Sequence, residues 1–177
     1  GWSTGGLIAT RLAQGYREVS RPIAGAMLFA PGIDVHVVLG EVTLDSLTSL
    51  AAPPHTGPIA PSRPSLFALF SAGLLLQAHE ARSEPFPAAV PTVLFTGGER
   101  SDTYADTAGL QAWVGEQRER ADAATIALVS CEGGKHELDN EAEPMGRQVR
   151  SMAGEFFAAA TKHKPYVAPS PGPCKAL

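Results

Sequence analysis

Apolar residues occur along this chain in two kinds of block, and their alternation predicts its elements. From Ser3 to Tyr16 they fall at helical spacing, with Leu7, Ile8 and Leu12 expected on one buried face. A polar turn through Arg17 to Pro22 closes that helix. Ile23 to Ala30 is then an unbroken apolar run bounded by prolines, the composition of a strand covered on both faces in a parallel sheet. Further on, Thr92 to Phe95 and Thr125 to Val129 repeat the strand signal. A helix from Asp106 to Glu119 stands between them, with Leu110, Trp113, Val114 and Gln117 on one face. A last helix is expected from about Glu143 to Thr161, with Met145, Val149, Met152 and Phe156 in line.

Strand and helix in alternation with short connections predict an α/β fold of about three parallel strands with flanking helices. Two stretches break the rhythm. Roughly 60 residues between the first and second strands are far more than a connection needs, so the span from about 34 to 90 reads as an inserted cap or lid. It contains the loose Ala51–Pro58 segment and one helix from about Ser65 to Ala81. The apolar Leu66–Leu76 stretch suits either cap core or a lipid-facing lid, since both demand the same residue types. The second exception is the proline-rich end, 164–177, which is expected to be an extended, mobile tail outside a domain spanning 1–163.

Composition narrows the partners. With hydrophobic residues at 44% and charged residues at 18% of 177 positions, there is material for one sizeable core. A net charge of −4 leaves no basic footprint, so no nucleic-acid partner and no electrostatic pull to an anionic membrane are expected. The most apolar region, Leu66 to Ala78, falls short of the about 18 residues that a membrane span needs. The histidines are scattered, without the close spacing of a metal site, and no cofactor is expected. Cys131 and Cys174 read as free thiols of a reducing compartment ahead of a single disulfide, with Cys131 a small packing residue.

Candidate chemistry lies where strands end, because ligands of an open α/β sheet collect at the carboxyl ends of its strands. The first six residues, Gly1-Trp2-Ser3-Thr4-Gly5-Gly6, fit the G-x-S-x-G elbow, in which a serine sits on a strained turn into a helix and flanking glycines let backbones pass closely. The loop after the second strand carries Glu99, Asp102 and Asp106; that after the third carries His136 and Glu137. Ser3, Asp102 and His136 thus follow one another in the chain order of a nucleophile, acid and base. Each has a plain competitor. Ser3 could be only a helix N-cap, and His136 only a loop histidine. Asp102 competes with Glu99 and with Asp106, which is itself well placed as an N-cap. Glu137 and Glu141 suit anchoring of the loop and the last helix. His36, His55, His79 and His163 read as solvated or cap residues.

In three places the chain resembles the serine hydrolases of the α/β-hydrolase fold, within them the lysophospholipase and monoacylglycerol lipase group. Gly1 to Gly6 resembles that group's G-H-S-M-G-G. Gly98 to Gly109 looks like its acid loop, with Asp102 followed by Asp106 at a helix start, and Gly134-Lys135-His136-Glu137-Leu138-Asp139-Asn140-Glu141 is similar to its histidine segment. The resemblance implies acyl transfer with Ser3 as nucleophile, His136 as base, Asp102 as orienting acid and the Thr4 N–H as one oxyanion donor. It implies a small acyl-ester substrate, such as a monoacylglycerol or lysophospholipid, and a cytoplasmic or membrane-associated setting with peripheral membrane contact through the cap. Trp2 stands where the group has His, a departure expected to bear on the pocket wall. The fold has further strands ahead of the elbow, so the chain is expected to be the C-terminal part of such a sheet, completed by an N-terminal half or a second chain. The rival expectations are a truncated, non-catalytic remnant acting as a binding module, and a peptidase or thioesterase on the same three residues.

Overall fold

The structure, a computed structural model, describes residues 1–15, 23–35, 64–120, 125–169 and 172–177, without the side chains of 64–72. Helix α1 (Thr4–Gln14) precedes β1 (Ala26–Phe29), and α2 (Pro64–Ser83) precedes β2 (Thr92–Thr96). Then come α3 (Thr107–Glu119), β3 (Ile126–Cys131), a 3-10 turn at Leu138–Asn140, α4 (Met145–Ala160) and β4 (Cys174–Ala176). The four strands form one sheet in the order β1-β2-β3-β4. β1, β2 and β3 are parallel and β4 is antiparallel to β3, so the architecture is α/β with a mostly parallel sheet.

Register explains the layers. Leu28, Leu94 and Leu128 are neighbours across β1, β2 and β3 and face one core with Leu7 of α1, Ala78 and Ala81 of α2, and Leu110, Trp113 and Val114 of α3. One residue further along each strand the side chains point the other way. Phe29 stacks on Phe95 with ring centroids 4.9 Å apart, and Phe95 and Val129 face Val149, Met152, Phe156 and Ala160 of α4. Each leucine buried in this way contributes roughly 1.5–3 kcal/mol of transfer free energy.

Three expectations are corrected. Leu7 is buried, but Ile8 and Leu12 are 64% and 58% exposed. α1 instead turns Gly6, Leu7, Thr10 and Ala13 inward, the small residues letting it lie close to its neighbours. The chain's end is not a free tail: Tyr166 packs edge-on against Phe156, and Cys174–Ala176 adds the fourth strand. Cys131 and Cys174 are a buried disulfide, not free thiols.

Of the expected cap, 36–63 lies outside the described residues, as do His36 and His55. The C-terminal half of α2 is held by two arginines. Arg11 of α1 pairs with Glu80 at 2.9 Å and Glu84 at 2.7 Å, while Arg82 pairs with Asp34 and donates to the Gly109 carbonyl. Among the described residues no helix is long and apolar enough to cross a membrane.

Candidate active site

Ser3 heads α1 in a backbone conformation that L-residues avoid, φ 51° and ψ −122°. A residue there costs about 1–3 kcal/mol and persists only where its surroundings over-determine it. They do so here. The Ser3 N–H donates to the Phe29 carbonyl at 2.9 Å, its carbonyl accepts from Leu7 at 3.1 Å and Gly32 at 3.0 Å, and the Phe29 N–H donates to Gly1 at 2.9 Å. The Ser3 hydroxyl makes no cap bond to the helix, which removes the plain N-cap explanation for a serine at this point. Thr4 opens the helix, in the turn whose N–H groups have no intrahelical acceptor.

Close backbone approach is required at Gly1, where a Cβ would clash with the Gly5 carbonyl, and at Gly6, but not at Gly5, the second glycine of the motif. A Cβ on Gly6 would lie 2.8 Å from Pro31 Cβ and 2.9 Å from Pro31 Cα, whereas one on Gly5 would meet nothing within 4 Å. Gly6→Ala is therefore expected to cost about 1–3 kcal/mol by overpacking. Gly5→Ala should be neutral or stabilising by up to about 1 kcal/mol through helix propensity. Urea unfolding of the two variants checks the order, and a less stable Gly5→Ala would contradict it.

The loops after β2 and β3 meet above the sheet. His136 Nδ1 lies 3.0 Å from Asp102 Oδ2 and 3.1 Å from Oδ1. Asp102 Oδ1 also accepts from the Tyr104 and Ala105 N–H groups at 2.9 and 3.0 Å. Burial alone would raise the Asp102 carboxyl's pKa. The hydrogen bonds from His136, Ala105 and Tyr104, together with the His136 charge, outweigh burial and hold it below its ordinary 3.8. The Asp102 side chain is fully buried and that of His136 nearly so. His136 Nε2 is buried without a hydrogen-bond partner.

The competing acids are placed elsewhere. Glu99 is exposed, and Asp106 caps α3 by accepting from the Gly109 N–H at 3.0 Å. Glu141 accepts from the Lys135 N–H at 2.6 Å and Glu137 from the Asn140 amide at 3.2 Å, both local anchors of the histidine loop. That loop is also stitched to the acid loop, because the Gly134 carbonyl accepts from Gly98 N–H at 3.1 Å and Ser101 Oγ at 2.7 Å. His79 and His163 are exposed. Among the described residues no three His, Cys, Asp or Glu side chains gather as metal ligands would. Sequence reasoning passed over Ser101 and Tyr104, whose ring lies 5.2 Å from the imidazole. Their spacing to Asp102 carried no motif, and only the folded loop brings them to the histidine.

No protein-family model matches this chain, and no curated protein does. Among solved structures, the crystal structure of a monoacylglycerol lipase from Paleococcus ferrophilus is similar, with a TM-score of 0.56 at 16% identity. The match covers 89% of this chain and 66% of that one. At that identity the likeness is one of fold, the fold of an α/β-hydrolase.

Proposed function

We propose that this chain, of α/β-hydrolase fold, is a serine hydrolase that cleaves the carboxylic ester of a lipid-like molecule, a monoacylglycerol or lysophospholipid. The observation that carries the reading is Ser3, a non-glycine residue held at φ 51° at the head of α1 with its hydroxyl uncommitted to capping. It is supported by the Asp102–His136 pair, which occupies Nδ1 and leaves Nε2 unpartnered. Ser3 Oγ and His136 Nε2 are not hydrogen-bonded here; such contacts are often long until the Michaelis complex draws them together.

In the reaction, Ser3 Oγ attacks the ester carbonyl as His136 Nε2 takes its proton. The tetrahedral oxyanion is met by the Thr4 N–H, where the positive end of the helix dipole also favours negative charge. His136 then returns the proton to the departing alcohol, leaving an acyl-serine. Water, deprotonated by the same imidazole, releases the fatty acid and restores Ser3. Asp102 holds the proton on Nδ1 so that Nε2 is free to accept, and stabilises the imidazolium. The lipid-like substrate is favoured by the likeness to a monoacylglycerol lipase and by the apolar sequence of α2, through which peripheral contact with a membrane surface fits.

The test is intact-mass analysis after exposure to a fluorophosphonate probe, followed by peptide mapping and by hydrolysis assays on monoacylglycerol and lysophosphatidylcholine. One adduct, mapped to Ser3, with fatty acid released from either lipid is expected. A chain that takes no adduct would sink the reading and leave the non-catalytic alternative.

A further inference from the structure

Ser3 and His136 come from distant parts of the sheet. The elbow joins the sheet by the bridge between Trp2 and Phe29 of β1, whereas His136 follows β3. With β1 and β2 between them, the two attachment points stand three strand spacings apart, about 14 Å. The histidine loop must therefore lean back over two strands to bring its imidazole to the serine. Its bonds to Ser101, Gly98, Asp102 and Glu141 tie it to the acid loop or to itself. None of them reaches the serine turn directly.

Among the described residues, one side chain reaches directly across that gap. The indole Nε1–H of Trp2, the residue before Ser3, donates to the backbone carbonyl of His136 at 2.9 Å. The Trp2 ring also lies 5.3 Å from the imidazole, centroid to centroid, tilted by 57°. Trp2 is 38% exposed and belongs to neither core cluster, so packing of the fold does not account for its position. A smaller residue with no donor at this point would leave the two loops linked only indirectly among the described residues, through the sheet and through 31–35, where the Gly32 N–H donates to the Ser3 carbonyl at 3.0 Å and the Asp106 N–H to the Asp34 carbonyl at 3.1 Å.

We infer that Trp2 is a positioning residue: its indole N–H is a strut that sets the separation of the serine and histidine loops, and so the approach of His136 Nε2 to Ser3 Oγ. The inference rests on the serine-hydrolase reading. Because the strut acts on the chemical step, its loss lowers the rate at which bound reagent reacts and leaves binding nearly unchanged.

The experiment measures fluorophosphonate inactivation over a range of probe concentrations, separating the limiting rate kinact from the half-saturation constant KI. It compares wild type, Trp2→Phe, which keeps a ring without the donor, and Trp2→His, which keeps a ring with an N–H. Expected is a fall in kinact of about 10- to 100-fold for Trp2→Phe, the scale of a misplaced reacting group, with KI within about 3-fold of wild type and an unchanged melting temperature. Trp2→His should recover part of the loss. A Trp2→Phe variant with wild-type kinact overturns the strut while leaving the hydrolase reading standing, as does a loss confined to KI, which would make Trp2 a pocket wall. Wild type that takes no probe overturns the hydrolase reading and this inference together.

Discussion

Asp102→Asn is expected to lower the rate of probe labelling and of ester hydrolysis by about 10⁴-fold while the chain stays folded, the scale seen when an orienting carboxylate becomes an amide. The reason lies in which oxygen holds what. Oδ1 accepts from the N–H groups of Tyr104 and Ala105, and an asparagine can keep both bonds with its carbonyl oxygen. Its NH₂ then takes the place of Oδ2, 3.0 Å from His136 Nδ1, and donates where the carboxylate had accepted. Nδ1 must become the acceptor, so the ring proton moves to Nε2, which can no longer take a proton from Ser3. Rates measured at pH 7 to 8 decide the matter. Labelling within 10-fold of wild type would show that Asp102 is not the orienting acid.

The same substitution reports on stability. The Asp102 carboxyl is held below its ordinary 3.8 in the folded chain. A depressed carboxyl stabilises the fold fully above the unfolded value, and that contribution is lost as pH falls through the folded value. The melting temperature of wild type relative to Asp102→Asn should therefore be highest near neutrality and decline below about pH 4. A difference that does not change with pH would contradict the assignment.

Breaking the Cys131–Cys174 disulfide has the largest expected effect on stability. The bridge closes a loop across a sequence separation of 43, for which the chain-entropy relation gives about 4 kcal/mol. For a chain of this size that is a fall of roughly 10 °C in melting temperature. The bridge also has local work. Cys131 ends β3 and its carbonyl accepts from the Gly134 N–H at 2.9 Å, at the start of the histidine loop. Cys174 is clamped in both directions by Gln148 of α4, at 3.0 Å each way. Reduction should therefore release β4 first, seen as faster hydrogen exchange at 174–177 and at the outer edge of β3. Thermal scans with and without reductant, using Cys174→Ala as the reductant-insensitive control, check the expectation. Equal melting temperatures would refute it.

Elements whose signal is local were readable before folding. The continuous apolar strand at Thr92–Thr96 and the helix with Leu110, Trp113, Val114 and Gln117 inward lie within a residue or so of their expected places. Burial on both faces of a parallel strand and on one face of a helix imposes its own period on the chain. Asp106 as a cap was readable for the same reason, since its partner is only three residues away. The face of α1 was not. Ile8 and Leu12 have the right spacing for a buried stripe, but the helix is rotated by close contacts such as that of Gly6 with Pro31, which no periodicity encodes.

The candidate site divides along the same line. The order of serine, acid and histidine, and the helical turn that follows Ser3, belong to the sequence itself, because motif spacing and apolar period are properties of neighbours along the chain. Which carboxylate touches His136 was decided by the fold, as was the stitching of the acid and histidine loops through Ser101. So were the reach of Trp2 to the histidine loop and the pairing of Cys174 with Cys131, for each joins residues 33 to 134 positions apart. Contacts at that range follow from strand order and register, and those exist only once the whole sheet has assembled.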